Sequence, residues 1–224
     1  MTGRVEACVF DAYGTLLDLA SAVAPHERGL GGEGHRLLAL WRAKQLEYTW
    51  LRTVMRRHAD FDAVTRDALA YALEALGIDD QRLEQALLDS FRTLQAHPEA
   101  VPLLEALRRR GIRTAVLSNG TPATLDVALA RAGLAPLLDT VLSVERVQCY
   151  KPDPRVYADA TAALAVPADR TLFVSMHGWD VAGAASAGCR TAWVNRAGAP
   201  RDRLPAGPDH TVRSLAEIEV LAFR

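Results

Sequence analysis

The N-terminal part of the chain decides the fold: residues 5–17 read VEACVFDAYGTLL. An apolar run ends at Phe10, and a carboxylate, Asp11, and a glycine, Gly14, follow it. This pattern is typical of a buried parallel strand that delivers a loop at its carboxyl end. We therefore predict a strand from Val5 to Phe10 that places Asp11 at an edge of the sheet.

Apolar strand patterns and helical patterns alternate along the rest of the chain. The predicted strands are Thr114 to Leu117, Thr140 to Leu142, Thr171 to Val174 and Thr191 to Val194. The predicted helices are Ala100 to Arg110, Pro122 to Ala132 and Arg155 to Leu164. This alternation predicts an α/β fold with a doubly wound, Rossmann-like parallel sheet. A surface loop, residues 197–208, precedes a last short strand and helix.

One segment departs from this alternation. Between Leu19 and Ala96 we find no convincing strand, only a Gly-rich turn and three helical patterns. These patterns are His35 to Arg57, Ala63 to Leu76 and Gln81 to Leu94. We predict that residues 19–96 form a helical cap domain inserted after the first strand, and that residues 1–18 and 97–224 form the catalytic core.

Composition limits the class of protein. With 224 residues, half of them apolar, the chain can bury one core with a smaller insertion. The formal net charge is −1 and the sequence lacks a basic stripe, so we expect no nucleic-acid partner. The apolar run before Asp11 is too short for a signal peptide or a membrane span. We expect no membrane association and a cytoplasmic location.

The three cysteines are odd in number and show neither a CxxC motif nor Cys/His spacing: Cys8, Cys149 and Cys189. This pattern argues against a disulfide framework and against a zinc site. We predict that all three are small buried residues.

Polar residues follow four of the predicted strands. The clusters are Asp11 with Thr15, Ser118 with Asn119, Tyr150 with Lys151, and residues 175–180. In open α/β sheets, ligands bind beyond the carboxyl ends of the strands. A lone Asp at such a position often only caps a loop, but four clusters on one rim predict a functional site.

Four motifs carry a resemblance to a known family: FDAYGTL, LSNG, YKPDPRVY and VSMHGWD, in that order. They resemble the motifs of the haloacid dehalogenase superfamily, and the resemblance spans essentially the whole chain. Most members are phosphatases, in which acids two residues after the nucleophile and in the fourth motif hold magnesium. Here Tyr13 and Ser175 occupy those places. Because Mg²⁺ is bound by carboxylates, the resemblance implies an enzyme without metal or other cofactor.

Tyr13 and the stretch LWRAKQLEYTWLR, residues 40–52, are similar to the L-2-haloacid dehalogenase branch in particular. On a helix, Arg42 has Leu38 and Leu46 at positions i−4 and i+4, so its guanidinium rises from an apolar face. From the helix face alone, a surface Arg that snorkels over the cap stays an equal alternative. The resemblance implies a functional Arg42.

The branch implies hydrolysis of short L-2-haloalkanoic acids to D-2-hydroxy acids through an ester on the nucleophile Asp11. Asp180 would be the base for the hydrolytic water, and Lys151 would stabilise the oxyanion. Tyr157 would hydrogen-bond near Lys151, and Ser175 would orient Asp180 or Asp11. From the residues alone, Lys151 could instead be a surface residue before a turn, and Asp180 a helix N-cap.

The resemblance also implies which groups bind the substrate. Ser118, with backbone amides of the first loop around Ala12, would hold the carboxylate, while Arg42 and Asn119 would receive the halide. Asp11 needs hydrogen-bond donors and a cation nearby to stay ionised beside the substrate carboxylate, and the candidates are Thr15, Ser118 and Lys151. The side chains that match an apolar wall around the alkyl group are Tyr13, Leu46, Phe61 and Trp179. Each of these alone would more often belong to a core.

Position 177 departs from the branch, because His177 stands where Asn is usual. A neutral imidazole can donate one hydrogen bond and accept another, as an amide can, but it is larger and titrates near neutral pH. His177 therefore either substitutes for the amide or changes pocket size, water activation and pH profile. We hypothesise that it permits dehalogenation and alters the substrate range.

Two other functions stay open at this point. One is a hydrolase of the same superfamily with another substrate, such as a phosphatase that takes its metal elsewhere. The other is a catalytically silent homologue, although buried, unused carboxylates and a buried Arg would carry desolvation costs. For the leading function, the expected partners are a 2-haloacid and halide, and the branch implies a homodimer.

Overall fold

The structure is a computed structural model that describes residues 4–223. Residues 1–3 and 224, which the predicted core includes, lie outside this range. The strands are β1 (Ala7–Phe10), β2 (Leu17–Asp18), β3 (Gln95–Ala96), β4 (Arg113–Ser118), β5 (Thr140–Ser143), β6 (Thr171–Ser175), β7 (Arg190–Val194) and β8 (His210–Val212). The helices are α1 (Glu27–Leu30), α2 (Gly34–Val54), α3 (Phe61–Ala75), α4 (Gln81–Phe91), α5 (Ala100–Arg109), α6 (Pro122–Arg131), α7 (Pro154–Leu164), α8 (Gly178–Ser186) and α9 (Ile218–Ala222).

The central sheet is parallel throughout, with the strand order β5-β4-β1-β6-β7-β8. This order confirms the predicted doubly wound α/β fold. Every residue of β1 is buried, which explains its continuous apolar run. Phe10 lies opposite Val116 of β4 and Val174 of β6, so the residues that follow these three strands meet at one edge.

A helical segment, residues 19–94, lies between β2 and β3. Leu17 pairs with Ala96, and Asp18 with Gln95, in an antiparallel two-stranded sheet. The sequence patterns predict no strand in residues 19–96, and the short β3 corrects this prediction. A strand of two residues is too short to show a periodic pattern in the sequence. β3 forms because the chain that leaves the helical segment runs beside β2, the strand that leads into it.

Local capping explains where several helices begin. The Asp60 carboxylate accepts a hydrogen bond from the Ala63 amide at the start of α3. Thr121 caps α6, and proline occupies the first helical position there and in α7. Residues Leu37, Trp41, Gln45 and Thr49 of α2 recur every fourth position and are buried. This spacing gives α2 one inward face.

A single cluster of buried apolar side chains joins the helical segment to the sheet and its first loop. Cys8, Cys149 and Cys189 are buried free cysteines, as predicted. Burial raises the pKa of the Cys8 thiol to about 12. Among residues 4–223, none of the helices combines the length and apolar character that crossing a bilayer requires.

Candidate active site

The end of β1 places Asp11 beside two other buried charged side chains. The Lys151 ammonium Nζ lies 3.2 Å from Asp11 Oδ1 and 3.0 Å from Asp180 Oδ2. The exposed fraction is 6% for Asp11, 1% for Lys151 and 0% for Asp180. Buried charges are tolerated when they are paired, and Lys151 pairs with both carboxylates. The surface-lysine alternative is therefore wrong.

Asp180 lies in the first turn of α8 and is held from two sides. Its Oδ1 accepts a 2.7 Å hydrogen bond from the Tyr157 hydroxyl. Burial raises the pKa of Asp180 to about 6, although Lys151 and Tyr157 favour the ionised form. Burial would lower the pKa of Lys151, but the two carboxylates outweigh it and raise that pKa. Asp180 is thus ionised at neutral pH and still basic enough to accept a proton.

The loop after β1 supplies a donor to the Asp11 carboxylate. Thr15 Oγ1 donates to Asp11 Oδ2 at 2.9 Å, and it accepts from the Met176 amide at 2.9 Å. Because the amide can only donate, the single hydroxyl proton of Thr15 is directed at Asp11. The first and fourth motifs are joined through this hydroxyl.

The end of β4 contributes two buried polar side chains, Ser118 and Asn119. Ser118 Oγ accepts from the Gly120 amide at 3.1 Å, and Asn119 Oδ1 accepts from the Lys151 amide at 3.2 Å. Both bonds use acceptor oxygens. Within the described chain, neither the Ser118 hydroxyl proton nor the Asn119 side-chain N–H groups have a protein acceptor. These free donors suit an anion.

Helix α2 brings the Arg42 guanidinium over the site, where it donates to Gln45 Oε1. Burial lowers the pKa of Arg42 to about 10, and the charge of Asp11 opposes that shift. Arg42 therefore stays charged at neutral pH. No carboxylate of residues 4–223 forms an ion pair with it, which leaves a desolvated cation without a counter-ion.

Sequence analysis missed Gln45 in this site. It is fully buried, and its amide also donates to Thr65 Oγ1 of α3. Gln45 thus ties Arg42 to the neighbouring helix. The available signal was its i+3 spacing from Arg42 on the buried face of α2.

Aromatic rings line one side of the site. Tyr13 stacks on Phe91, with ring centroids 5.1 Å apart, and packs against Phe61 at 5.5 Å. Burial raises the pKa of Tyr13, so its hydroxyl stays neutral. The hydroxyl oxygen has no hydrogen-bond partner among the described residues. The buried phenol therefore keeps a hydroxyl proton without a protein acceptor among the described residues, as Ser118 does.

The other residues predicted to surround the substrate differ in burial. Trp179 is half-buried, and its ring meets the edge of Trp50 from α2 at 5.5 Å. Leu46 is half-buried one turn after Arg42, on the same side of α2. Ala12, directly after Asp11, is fully buried. Of the predicted wall residues, Tyr13, Phe61 and Trp179 each contact another aromatic ring. Leu46 is assigned to the wall only from its position on α2.

Comparisons with known proteins show the family of this chain. The family model of the haloacid dehalogenase-like hydrolases matches residues 5–188. This chain belongs to the haloacid dehalogenase-like hydrolases. It is 44% identical to (S)-2-haloacid dehalogenase 1 of Pseudomonas sp. (strain CBS-3), over 98% of this chain and 97% of that relative. Its motifs and this similarity place it in the L-2-haloacid dehalogenase branch.

Solved structures of dehalogenases share the whole fold of this haloacid dehalogenase-like hydrolase. A crystal structure of a dehalogenase with an intermediate complex is 40% identical and superposes with a TM-score of 0.97, covering 100% of both chains. The Xanthobacter autotrophicus L-2-haloacid dehalogenase with chloropropionic acid covalently bound is 36% identical. Its TM-score is 0.89, over 97% of this chain and 98% of that chain.

His177 lies beside Asp11 in this family member. Its Nε2 is 3.0 Å from the Tyr13 carbonyl oxygen and 3.9 Å from Asp11 Oδ2, and its ring stacks on Trp179. Burial lowers the pKa of His177 to about 4, so the imidazole is neutral at neutral pH. A carbonyl only accepts, so Nε2 carries the proton and Nδ1 is left as an acceptor. With one donor and one acceptor, the His177 ring can take the place of an amide. Its low pKa argues against the alternative in which the ring titrates near neutral pH.

Tyr157 and Ser175 were predicted to support the charged groups. Tyr157 was expected near Lys151, and its hydroxyl donates to Asp180, which pairs with Lys151. Ser175 was expected to orient Asp180 or Asp11, but its Oγ accepts from the His177 amide at 3.1 Å. Ser175 therefore shapes the turn that presents His177.

Proposed function

We propose that this enzyme hydrolyses short L-2-haloalkanoic acids to D-2-hydroxy acids and halide. The observation that carries the proposal is the buried Lys151 ammonium between Asp11 and Asp180, which provides a nucleophile and a base on one cation. The family and its dehalogenase relatives support the same chemistry.

In the first step, an Asp11 carboxylate oxygen attacks the substrate carbon that bears the halogen. A carbon–oxygen bond forms, and the carbon–halogen bond breaks with its electron pair on the halide. In-line attack inverts the configuration at that carbon. Thr15 and Lys151 hold the attacking carboxylate in place.

The free donors of the site divide between the substrate carboxylate and the leaving halide. We assign the carboxylate to Ser118 with the backbone amides around Ala12, and the halide to Arg42 with Asn119. The guanidinium is permanently charged, weakly hydrated and lacks a counter-ion, so it suits a departing anion. Tyr13, Leu46, Phe61 and Trp179 then surround the alkyl group.

In the second step, Asp180 takes a proton from water as that water attacks the Asp11 carbonyl carbon. The Lys151 ammonium stabilises the oxyanion. The acyl carbon–oxygen bond breaks, the product leaves with the oxygen that first attacked, and its alkoxide takes up the proton that stayed on the attacking water oxygen. Asp11 keeps one oxygen from water, and Asp180 returns its proton to solvent.

We further propose that residues 19–96 act as a cap domain on a core of residues 1–18 and 97–224. Four groups that the site uses come from this segment: Arg42, Gln45, Leu46 and Phe61. It joins the core through the adjacent strands β2 and β3. With Asp11 only 6% exposed, the described conformation is closed, and substrate entry requires the cap to move.

Halide release tests the proposal. We expect wild type to release halide from L-2-chloropropionate and not from D-2-chloropropionate. Chloroacetate and fluoroacetate test how far the enzyme accepts another chain length and another halogen. Asp11→Asn should release none, because an amide is a poor nucleophile. Asp126→Asn, the same change on the exposed face of α6, is the matched control. If wild type releases halide from none of the four acids, the assignment is wrong.

The phosphatase alternative makes an opposite prediction about metal. Residues 4–223 contain no group of three or more His, Cys, Asp or Glu side chains placed to hold a metal ion. We expect halide release to be indifferent to added magnesium and to a chelator. Hydrolysis of a phosphate monoester that rises with magnesium and disappears with chelator would favour the phosphatase.

Assembly and location complete the proposal. Apolar side chains are exposed at the end of α2: Trp50 (37%), Leu51 (46%), Val54 (81%) and Met55 (58%). We propose that a second copy covers them in a homodimer, which light scattering would test. A cytoplasmic location and the absence of nucleic-acid and membrane partners stay predictions of the sequence.

A further inference from the structure

We propose that Arg196, together with Glu99, is a positioning residue that holds the nucleophile loop in its reactive geometry. The loop in question, residues 12–17, connects Asp11 to β2. Arg196 follows β7, two strands away from β1 in the sheet. It touches none of the reacting groups and acts through the loop's backbone.

Arg196 binds two successive carbonyl groups of this loop. Its Nη1 donates to the Gly14 oxygen at 3.1 Å, and its Nη2 donates to the Thr15 oxygen at 3.2 Å. His97 is a second donor to the Gly14 oxygen, at 3.2 Å. Among the described residues, only Arg196 donates to the Thr15 carbonyl. The planar fork of a guanidinium matches two adjacent acceptors in a way that an ammonium does not.

Glu99 anchors the guanidinium from the opposite side. Its Oε1 lies 3.2 Å from Arg196 Nη2 and also accepts from the Ser214 hydroxyl at 3.3 Å. The Arg196 hydrogen bond contributes to lowering the pKa of Glu99, whose carboxyl group is partly buried. The anchor therefore stays charged over the working pH range. Glu99 follows β3 by three residues, so the clamp joins the nucleophile loop to the segment that returns from the cap.

The loop transmits this restraint to Asp11 in one step. The residue whose carbonyl Arg196 holds, Thr15, donates through its hydroxyl to Asp11 Oδ2. Gly14 has φ +88°, and a Cβ there would collide with the Met176 sulfur, so the loop has one tight path beside β6. Without the two Arg196 hydrogen bonds, the Thr15 carbonyl group could rotate. The Thr15 hydroxyl would then no longer point at the Asp11 carboxylate.

The inference rests on the proposed function for its kinetic test. We expect Arg196→Ala to lower the rate constant of the first halide burst about 10- to 100-fold, as misplacement of a reacting group does. The substrate concentration that half-saturates the burst rate should change little, because Arg196 does not contact substrate. The burst amplitude counts folded active sites and separates this effect from loss of protein. Arg196→Lys, which keeps the charge without the fork, should give an intermediate rate.

Arg170→Ala is the matched control, since it removes an Arg–carboxylate pair with Glu6 at the opposite ends of the strands. It should leave the burst rate unchanged. If Arg196→Ala and Arg196→Lys both show the wild-type burst rate per active site, the inference is wrong, whatever their melting temperatures. If Arg196→Ala does not fold, a wild-type burst rate in Arg196→Lys is sufficient to overturn it.

Hydrogen exchange makes the test independent of the reaction. In Arg196→Lys, amides of residues 12–17 should exchange faster, while those of β4 and β6 keep the wild-type rate. Unchanged exchange in the loop overturns the clamp even if halide is released. Faster loop exchange in a protein whose wild type releases no halide would uphold the clamp and reject the proposed function.

Discussion

Asp180 is the residue that separates the two halves of the proposed reaction. Asp180→Asn cannot take a proton from water, yet it leaves Asp11 paired with Lys151. We expect one equivalent of halide per active site, followed by turnover slowed about 10²- to 10⁴-fold. Rapid-quench halide assay and intact-protein mass would show the burst and the trapped ester. Steady turnover at the wild-type rate would reject Asp180 as the base.

The pKa of Asp180 also predicts the acid limb of the reaction. Because the base acts ionised and its pKa is about 6, kcat should fall as the pH drops through 6. His177, with a pKa of about 4, should not contribute to that limb. The acid limb of His177→Asn should therefore coincide with that of wild type. A shift of that limb would contradict the neutral imidazole.

His177 should instead affect acid stability. A histidine in an unfolded chain has a pKa near 6.5, whereas burial holds the folded value at about 4. Between these values the unfolded state binds the extra proton, so stability falls as the pH drops. From pH 7 to pH 5 wild type should lose about 2 kcal/mol more than His177→Asn in urea unfolding. Equal losses would contradict this account.

At the residue scale, sequence identified the groups that follow strands, because strand ends of a parallel sheet converge by topology. Asp11, Lys151 and Asp180 meet as predicted, although their roles stay proposals. Gln45 and Arg196 were missed, because each acts through a long-range contact that leaves no periodic pattern.

At the level of elements, a polar latch joins α3 to α6. The Asp62 carboxylate accepts from Thr124 Oγ1 at 2.8 Å and from Thr121 Oγ1 at 3.3 Å, beside the start of α6. Asp62→Ala should populate open forms of the cap and raise KM, by about tenfold if closure loses 1.4 kcal/mol. The reason is that substrate enters the open form, so its apparent affinity scales with the equilibrium constant for closure of the substrate-bound enzyme.

Asp67→Ala is the control for the latch. It removes a 2.9 Å ion pair between α3 and Arg52 of α2, within the helical segment. That change should leave KM near the wild-type value. Equal KM in the two variants would show that the Asp62 contacts do not govern closure.

The same elements show where sequence suffices. The β1 and β4 strands and the helices α3, α5 and α6 followed from apolar patterns. Thr121 before Pro122 also marks the start of α6. Strands β2 and β3 did not, since pairing of Leu17 with Ala96 depends on how the helical segment folds back. Local patterns do not encode that register.

At the level of the whole molecule, the sheet and the helical segment of residues 19–94 enclose one polar site, whose charged groups come from the segments that follow β1, β5 and β6 and from α2. Asp11 and Asp180 are carboxylates, Lys151 is shared between them, and Arg42 is the cation left over. This arrangement of charges fits a reaction in which an anionic substrate enters and a second anion leaves.

The central claim is that Asp11 forms an ester that water cleaves at the acyl carbon. A single turnover with enzyme in excess, in water enriched in heavy oxygen, tests it most directly. We expect the heavy oxygen in the Asp11 peptide and an unlabelled product from the first turnover. Label in the product hydroxyl, with none in Asp11, would mean that water attacks the substrate directly and would contradict the account.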